Sequence, residues 1–144
     1  MADRLHDLQF HADGSKLLIS SSGSRREVNL LRAEDGSQIA QFDSDAHSQA
    51  MSADGKWIAI GSTYGDLILL DGATGALLGR SQPYSGSIYA LAFTPDNYLL
   101  TSGDEGKFHE GRWIFRLLDP QKLTTVGTFF GLRPGAETDR KSVV

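Results

Sequence analysis

Four histidines are the residues of this chain best suited to bind a metal or to transfer a proton near neutral pH. They are His6, His11, His47 and His109. No two of them are spaced i, i+4, and none has a carboxylate at the spacing of a metal-ligand motif. The chain contains no cysteine, which excludes disulfides and thiolate-bound metals. We therefore predict no metal site.

The acidic and hydroxyl side chains do not form a recognisable catalytic set either. Asp104, Glu105 and Glu110 could act as paired carboxylates, but they lie on a Gly-flanked segment that is typical of a solvated loop. The serines lie in turn contexts, where they hydrogen-bond locally. The chain has neither a G-x-S-x-G elbow nor a Walker-type loop. These observations predict a protein with no enzymatic activity and no cofactor.

Charge and hydropathy argue against two classes of partner. The chain of 144 residues has 14 basic and 18 acidic residues, a net charge of -4. Its basic residues cluster only as the pairs Arg25-Arg26 and Arg140-Lys141, whereas nucleic-acid binding needs a larger basic face. No apolar run approaches the ~20 residues of a membrane span, and the amino terminus lacks a signal-peptide core. We expect a soluble, cytoplasmic protein that binds neither nucleic acid nor membrane.

Turn residues recur along the chain with a fixed period. One series is separated by 41 and then 42 residues and consists of Asp13-Gly14, Asp54-Gly55 and Asp96-Asn97. A second series keeps step with the first and consists of Asp35-Gly36, Thr74-Gly75 and Asp119-Pro120. Two series in step indicate an internal repeat of three units.

Short apolar runs lie between these turns and predict β-strands, most clearly at 57–60 and 67–70 in the second unit. Each unit has four such runs, and four antiparallel strands at a period of about 40 residues are typical of a propeller blade. We predict an all-β fold of three four-stranded blades at about 5–47, 48–86 and 87–131, with a flexible polar tail at 132–144. Residues 1–7 could instead form a short helical turn.

Stacked blades bury both faces of each inner strand, because one meander cannot cover its own two faces. In the third strand of the second unit, Leu69 and Leu70 should therefore point to opposite neighbouring blades. Lys56 flanks a turn and should face water.

The turns and strand ends resemble the WD-repeat β-propeller family over residues 5–130. The Phe-Ser-Pro-Asp-Gly turn of that family is matched by Phe10-His11-Ala12-Asp13-Gly14, Met51-Ser52-Ala53-Asp54-Gly55 and Phe93-Thr94-Pro95-Asp96-Asn97. Its Ser/Gly-rich end of the second strand is matched by Gly61-Ser62-Thr63-Tyr64-Gly65 and Ser102-Gly103-Asp104-Glu105-Gly106. The Trp-Asp dipeptide and the Thr-Gly turn are matched by Leu70-Asp71-Gly72-Ala73-Thr74-Gly75 and Leu118-Asp119.

Two departures separate the chain from the family pattern. The Trp of the Trp-Asp dipeptide is replaced by Leu31, Leu70 and Leu118, and the Gly-His dipeptide survives only as His47. The buried hydrogen-bond network of the family is thus mostly missing, which predicts dry leucine packing instead. Other propellers with similar Asp-x-x-Thr-Gly turns, including quinoprotein-type ones, remain alternatives.

The resemblance also implies a partner-binding face. In the family, the connections between second and third strands and the links between blades open on one face of the ring. Here they carry the candidate binding residues Arg25, Arg26, His47, Tyr64, Tyr84, Phe108 and His109. The connection 103–112 is longer than a hairpin needs, and loops on a rigid scaffold are common recognition sites. The family further implies that His47 orients a loop.

These features favour a non-catalytic scaffold that binds a protein or peptide. The alternative is a propeller enzyme or cofactor-binding protein whose site lies in further blades. Closed propellers need about 4–8 blades, so three predict either additional blades or a homo-oligomer, with two copies giving six. The terminus Ser142-Val143-Val144 matches a PDZ-binding pattern, which we attribute to chance.

Overall fold

The computed structural model describes residues 4–22, 26–43, 45–105 and 112–132. These residues form twelve β-strands and no helix. The strands are β1 (Arg4–Phe10), β2 (Lys16–Ser22), β3 (Glu27–Arg32), β4 (Gln38–Asp43), β5 (Ala46–Met51), β6 (Trp57–Ser62), β7 (Leu67–Asp71), β8 (Leu77–Ser81), β9 (Ile88–Phe93), β10 (Leu99–Gly103), β11 (Arg112–Asp119) and β12 (Thr124–Leu132). The described part of the chain contains no helix long and apolar enough to cross a membrane.

Consecutive strands form three antiparallel sheets of four strands each, with the orders β1-β2-β3-β4, β5-β6-β7-β8 and β9-β10-β11-β12. This confirms the all-β fold and the three four-stranded units, here called the first, second and third blades. Two details of the prediction are wrong. The boundary placed between residues 47 and 48 falls inside β5, which begins at Ala46. Residues 4–7 form no helical turn, because Leu5 and Asp7 pair with Ser21 and Ser20 of β2 around a bulge.

The Asp-Gly series forms equivalent tight turns between the first and second strands. Gly14, Gly55 and Asn97 adopt left-handed backbone conformations with φ of 74°, 73° and 67°. Asparagine tolerates this region better than most residues, which explains how the third blade keeps the turn without glycine. In each turn a side chain two residues before the Asp bonds to its carboxylate; these residues are His11, Ser52 and Thr94.

The second turn series corrects the alignment of the third blade. Gly36, Gly75 and Leu123 have φ of 73°, 74° and 54°. Their amides donate to the carbonyls of Arg32, Asp71 and Asp119 at 2.9, 2.8 and 2.7 Å. Leu123 is therefore the structural equivalent of Gly75. The predicted equivalence of Asp119-Pro120 with Thr74-Gly75 is wrong because the third blade uses a leucine where the others use glycine.

The core consists of two interfaces between blades, and β7 contributes alternate residues to each. Ile68 and Leu70 pack toward the first blade with Leu18, Val28, Leu30, Ile58 and Ile60. Leu67 and Leu69 pack toward the third blade with Ala59, Ile88, Leu99, Ile114 and Leu118. The prediction that Leu69 and Leu70 face opposite blades is confirmed, and Lys56 is exposed as expected. Leu70 and Leu118 are fully buried, which confirms the dry packing predicted there, whereas Leu31, the third leucine of that prediction, is only partly buried.

The strand order places the connections between strands at two opposite ends of the blades. The first strands β5 and β9 pack side by side, whereas the fourth strands β4, β8 and β12 are the opposite sheet edges. In an antiparallel sheet, the turns after the first and third strands lie at one end. The connections after the second strands and the links between blades lie at the other end.

Candidate functional site

The end that carries the links between blades is called the loop face, defined here by residues 26, 45, 63–66, 82–87 and 104–105. Each link joins the fourth strand of one blade to the first strand of the next, so it crosses the gap between neighbouring sheets. Its residues are therefore placed beside the connection of the adjacent blade. Three hydrogen-bonded clusters hold this face together.

The first cluster joins the first blade to the second. Arg26 Nη1 donates to Asp45 Oδ1 at 2.6 Å, and the Thr63 amide donates to the Asp45 carbonyl at 3.1 Å. The hydrogen bond and charge of Asp45 raise the pKa of the Arg26 guanidinium, and Tyr64 adds to this shift. The Tyr64 side chain is 61% exposed. The structure thus brings together two predicted residues, Arg26 and Tyr64, around an aspartate that the prediction did not include.

The second cluster holds the link between the second and third blades. Ser87 Oγ donates to the Thr63 carbonyl at 3.0 Å, and Gln82 Nε2 donates to the Tyr64 carbonyl at 3.3 Å. On the opposite side, the Gly86 amide donates to the Asp104 carbonyl at 2.7 Å, and the Asp104 amide donates to the Ser87 carbonyl at 2.9 Å. The link is therefore fixed to both neighbouring connections.

The third cluster lies beneath that link and corrects the prediction for Tyr84. Its side chain is 2% exposed, and its hydroxyl lies 2.9 Å from Thr101 Oγ1. The Arg116 guanidinium lies over its ring, 4.6 Å from the centroid. Burial raises the pKa of the Tyr84 phenol. Tyr84 anchors the link from below and cannot contact a partner, because its ring fills the space between the link and β10.

Arg116 connects this anchor to the surface and was missed from the sequence. Its Nη1 donates to the Pro83 carbonyl at 2.5 Å and forms an ion pair with Glu105. The ion pair neutralises one of the carboxylates considered above as a catalytic pair. A charged residue in the middle of the apolar run of β11 was the available signal, since buried arginines are almost always paired.

The remaining predicted residues lie elsewhere. His47 belongs to β5 rather than to a link, and its ring packs edge-to-face against Tyr89 of β9 at 5.5 Å. Arg25, Phe108, His109 and Glu110 lie outside the described residues, as do residues 133–144 of the predicted tail. Residue 132 was predicted as the start of that tail but is the last residue of β12. Among the described residues, no group of three or more His, Asp or Glu side chains could hold a metal ion.

Comparison with known proteins relates this fold to that of WD40 repeats. No protein-family model matches the chain. A stretch of 83 residues is 36% identical to the mouse (Mus musculus) Periodic tryptophan protein 2 homolog, covering 56% of this chain and 8% of that protein. The WD40 repeats of RRP9 superpose with a TM-score of 0.72 at 16% identity, covering 90% of this chain and 42% of that chain. The described residues form three four-stranded blades of the β-propeller type, the fold that the WD40 repeats of RRP9 also have.

This chain spans less than half of each protein to which it is compared. A chain of Kuenenia stuttgartiensis hydrazine synthase also superposes, with a TM-score of 0.70 at 12% identity, over 86% of this chain and 35% of that one. Identities this low show the fold alone. The WD-repeat resemblance of the sequence is confirmed at that level.

Proposed function

We propose that this chain is part of a non-catalytic WD-repeat scaffold that binds a protein or peptide through its loop face. The observation that carries the proposal is Tyr64, a largely exposed aromatic residue beside the Arg26–Asp45 ion pair. Tyrosine and arginine are enriched among the residues that dominate binding energy at protein interfaces. The similarity to the mouse Periodic tryptophan protein 2 homolog, a repeat protein by its name, supports this kind of role.

The backbone beneath Tyr64 is held in place, which favours binding. The amide and carbonyl of Thr63 bond to the links on either side, and the Tyr64 carbonyl accepts from Gln82. A loop already fixed in one conformation loses little entropy when a partner binds. The loop face therefore offers an aromatic ring and a cation on a rigid support.

The test compares two exposed tyrosines at opposite ends of the blades. Tyr64 lies on the loop face, whereas Tyr98 follows the first turn of the third blade at the other end and is 37% exposed. A partner is first isolated by cross-linking with the full chain as bait, and its Kd is then measured by calorimetry. We expect Tyr64→Ala to raise the Kd by ~30-fold, the loss of an interface hot spot. Tyr98→Ala should leave the Kd unchanged.

A partner bound equally well by the Tyr64→Ala and Arg26→Ala variants would contradict the proposed face. The competing function is that of an enzyme or cofactor-binding protein, and the fold of the hydrazine synthase chain gives it a specific precedent. Its site would lie in blades outside this chain. A quinone or metal that copurifies with the longer protein and is needed for turnover would favour that alternative.

A further inference from the structure

The second blade has two interfaces, and their inner edges are packed differently. At the second interface, with the third blade, β9 packs along both β5 and β6, whereas at the first interface β5 contacts β1 of the first blade much less extensively. Ile88 of β9 lies over Gly61 of β6, where an added Cβ would come within 2.7 Å of the Ile88 Cγ2 atom. The equivalent positions of the first interface are Ala46 and Ser20. A smaller residue replaces the isoleucine and a larger one replaces the glycine, so the first interface lacks this close packing.

The middle of the first interface contains a buried polar atom without a partner. Gln49 of β5 is 8% exposed, and its Nε2 donates a long hydrogen bond of 3.5 Å to the Leu18 carbonyl of the first blade. Its Oε1 accepts no hydrogen bond from the described residues. A buried acceptor without a donor destabilises the closed interface unless water reaches it. At the equivalent position of the second interface, Leu91 packs against the apolar core instead.

Polar contacts close the two ends of the first interface. At the loop face, Arg26 donates to Asp45 at 2.6 Å, and both side chains are partly exposed, so that water weakens the ion pair. At the other end, His11 Nε2 lies 2.8 Å from the Gly55 carbonyl oxygen. The second interface is closed at the loop face by the buried ring of Tyr84. The first interface therefore depends more on polar contacts than the second does.

We propose that the first interface is a conformational seam, at which β1–β4 detach from the second blade as a unit while the second and third blades remain packed together. Opening lets water reach Gln49 Oε1, which offsets part of the cost of exposing the apolar side chains. β8 also carries an unpartnered buried atom, Ser81 Oγ, but opening the second interface exposes Ile88 and the ring of Tyr84 as well. Contiguous units of a fold commonly open at a lower free energy than the whole.

The seam crosses the loop face between two residues of the proposed binding site. Arg26 belongs to the first blade, whereas Tyr64 belongs to the second. Opening the seam separates these two residues, so the site is complete only when the first blade is in place. A partner that contacts both residues binds the closed form and holds the seam shut. This consequence rests on the proposed function, whereas the seam itself does not.

Native-state hydrogen exchange, read by mass spectrometry of proteolytic peptides, tests the seam without a partner. The full chain is used at low concentration, so that the exposed Phe10, on the outer face of the first blade, contacts no second copy. The strands compared are β2 and β3 with β10 and β11, the middle strands of two blades that each have one neighbour in the described part of the chain. After correction for intrinsic rates, we expect β2 and β3 to exchange at least about tenfold faster.

Urea and a reciprocal pair of variants then locate the opening. Exchange of β2 and β3 should depend on urea less steeply than exchange of β10 and β11, because a partial opening exposes less surface. Gln49→Leu gives the first interface the residue of the second and should slow β2 and β3 about tenfold, since it removes the unpartnered acceptor. Leu91→Gln makes the opposite exchange and should accelerate β10 and β11 while leaving β2 and β3 unchanged.

Three results would overturn the proposal. They are equal exchange of the two outer blades, equal acceleration of all four strands by Leu91→Gln, and unchanged exchange of β2 and β3 in Gln49→Leu. Equal urea dependence of the two outer blades would also reject the seam, and this measurement needs only the unsubstituted chain if a variant fails to fold. Because no partner is used, rejection of the seam leaves the loop-face proposal intact.

Discussion

At the scale of single residues, a larger side chain on one blade is matched by a smaller one on the neighbouring blade. Gly75 in the second blade lies so close to Ala40 of the first that an added Cβ would come within 2.5 Å of its methyl group. At the equivalent positions one interface further on, Leu123 packs over Gly79, whose added Cβ would meet Leu123 Cδ1 at 2.8 Å. A large residue on one blade is thus accommodated by glycine on the other. Leu123 adopts a left-handed backbone conformation with φ of 54°, which is unfavourable for leucine, and this packing offsets the cost.

This pairing predicts that glycine is a less destabilising substitution than alanine at position 123. Leu123→Ala removes the packing and keeps the left-handed backbone, whereas Leu123→Gly removes the packing but relieves a conformational cost of ~1–2 kcal/mol. We expect the glycine variant to be more stable than the alanine variant in urea titrations. Leu8, which is exposed and pairs in regular register with Ile19, is the control, and there alanine should be the more stable substitution because glycine weakens strands. The same order at both positions would contradict the strain at Leu123.

At the scale of the elements, stability depends on the two faces of the second blade. Leu70 is fully buried against the first blade and Leu69 almost fully against the third. We expect Leu70→Ala to lower the free energy of unfolding by about 2–5 kcal/mol, because it opens a cavity between two sheets. Lys56→Ala, at an exposed turn position, should change it by less than about 0.5 kcal/mol. Equal effects of the two substitutions in a denaturant titration would be incompatible with the packing of β7.

The turns between strands make a second prediction at this scale, for acid stability. Hydrogen bonds lower the pKa values of three turn carboxyls below the usual range. Asp13 accepts a hydrogen bond from Ser15, Asp54 accepts one from the Lys56 amide, and Asp71 accepts one from the Thr74 amide. A pKa that is lower in the folded state stabilises the fold above the ordinary aspartate pKa of about 3.9. That stabilisation is lost as the pH falls through the folded-state values.

We therefore expect the urea midpoint to be nearly constant from about pH 7 to pH 5 and to fall steeply below about pH 4. Asp54→Asn should make the curve shallower in acid, because one depressed carboxyl is removed. Glu34→Gln is the control, since Glu34 is exposed and accepts no hydrogen bond from the described residues. An acid limb unchanged by Asp54→Asn would show that the turn carboxylate does not contribute.

The elements were predictable because their signals are local. Turn residues such as Asp54-Gly55 dictate backbone conformation within four residues, and apolar runs such as 67–70 report burial on both faces. The positions of Tyr84 and Arg116 were not predictable, since they depend on partners 17 and 33 residues away. Tyr84 lies in a polar link and has the local sequence of an exposed residue. Leu123 was missed for a related reason, because its packing against Gly79 of another blade outweighs its own backbone preference.

At the scale of the whole molecule, the last residue of each first strand shows that one face of the first blade is uncovered. Met51 and Phe93 end β5 and β9, and each packs against the interface with the preceding blade. Phe10 ends β1 at the equivalent position but is 59% exposed, and Leu8 beside it is 46% exposed. A blade in front of the first would cover both.

We therefore expect the 144-residue chain to self-associate when purified alone, because the outer face of its first blade exposes Phe10. Light scattering behind a sizing column should show a concentration-dependent mass above that of the monomer. Phe10→Ser should reduce the association, since it removes the apolar contact without disturbing a covered interface. Leu77→Ser is the control, because Leu77 is as exposed as Phe10 but belongs to the second blade, which has a neighbouring blade on both sides. A longer form that adds further repeats should be monomeric and insensitive to Phe10→Ser, since a neighbouring blade then covers that face. A cooperatively folded monomer of the 144-residue chain, unaffected by either substitution, would contradict the open ring.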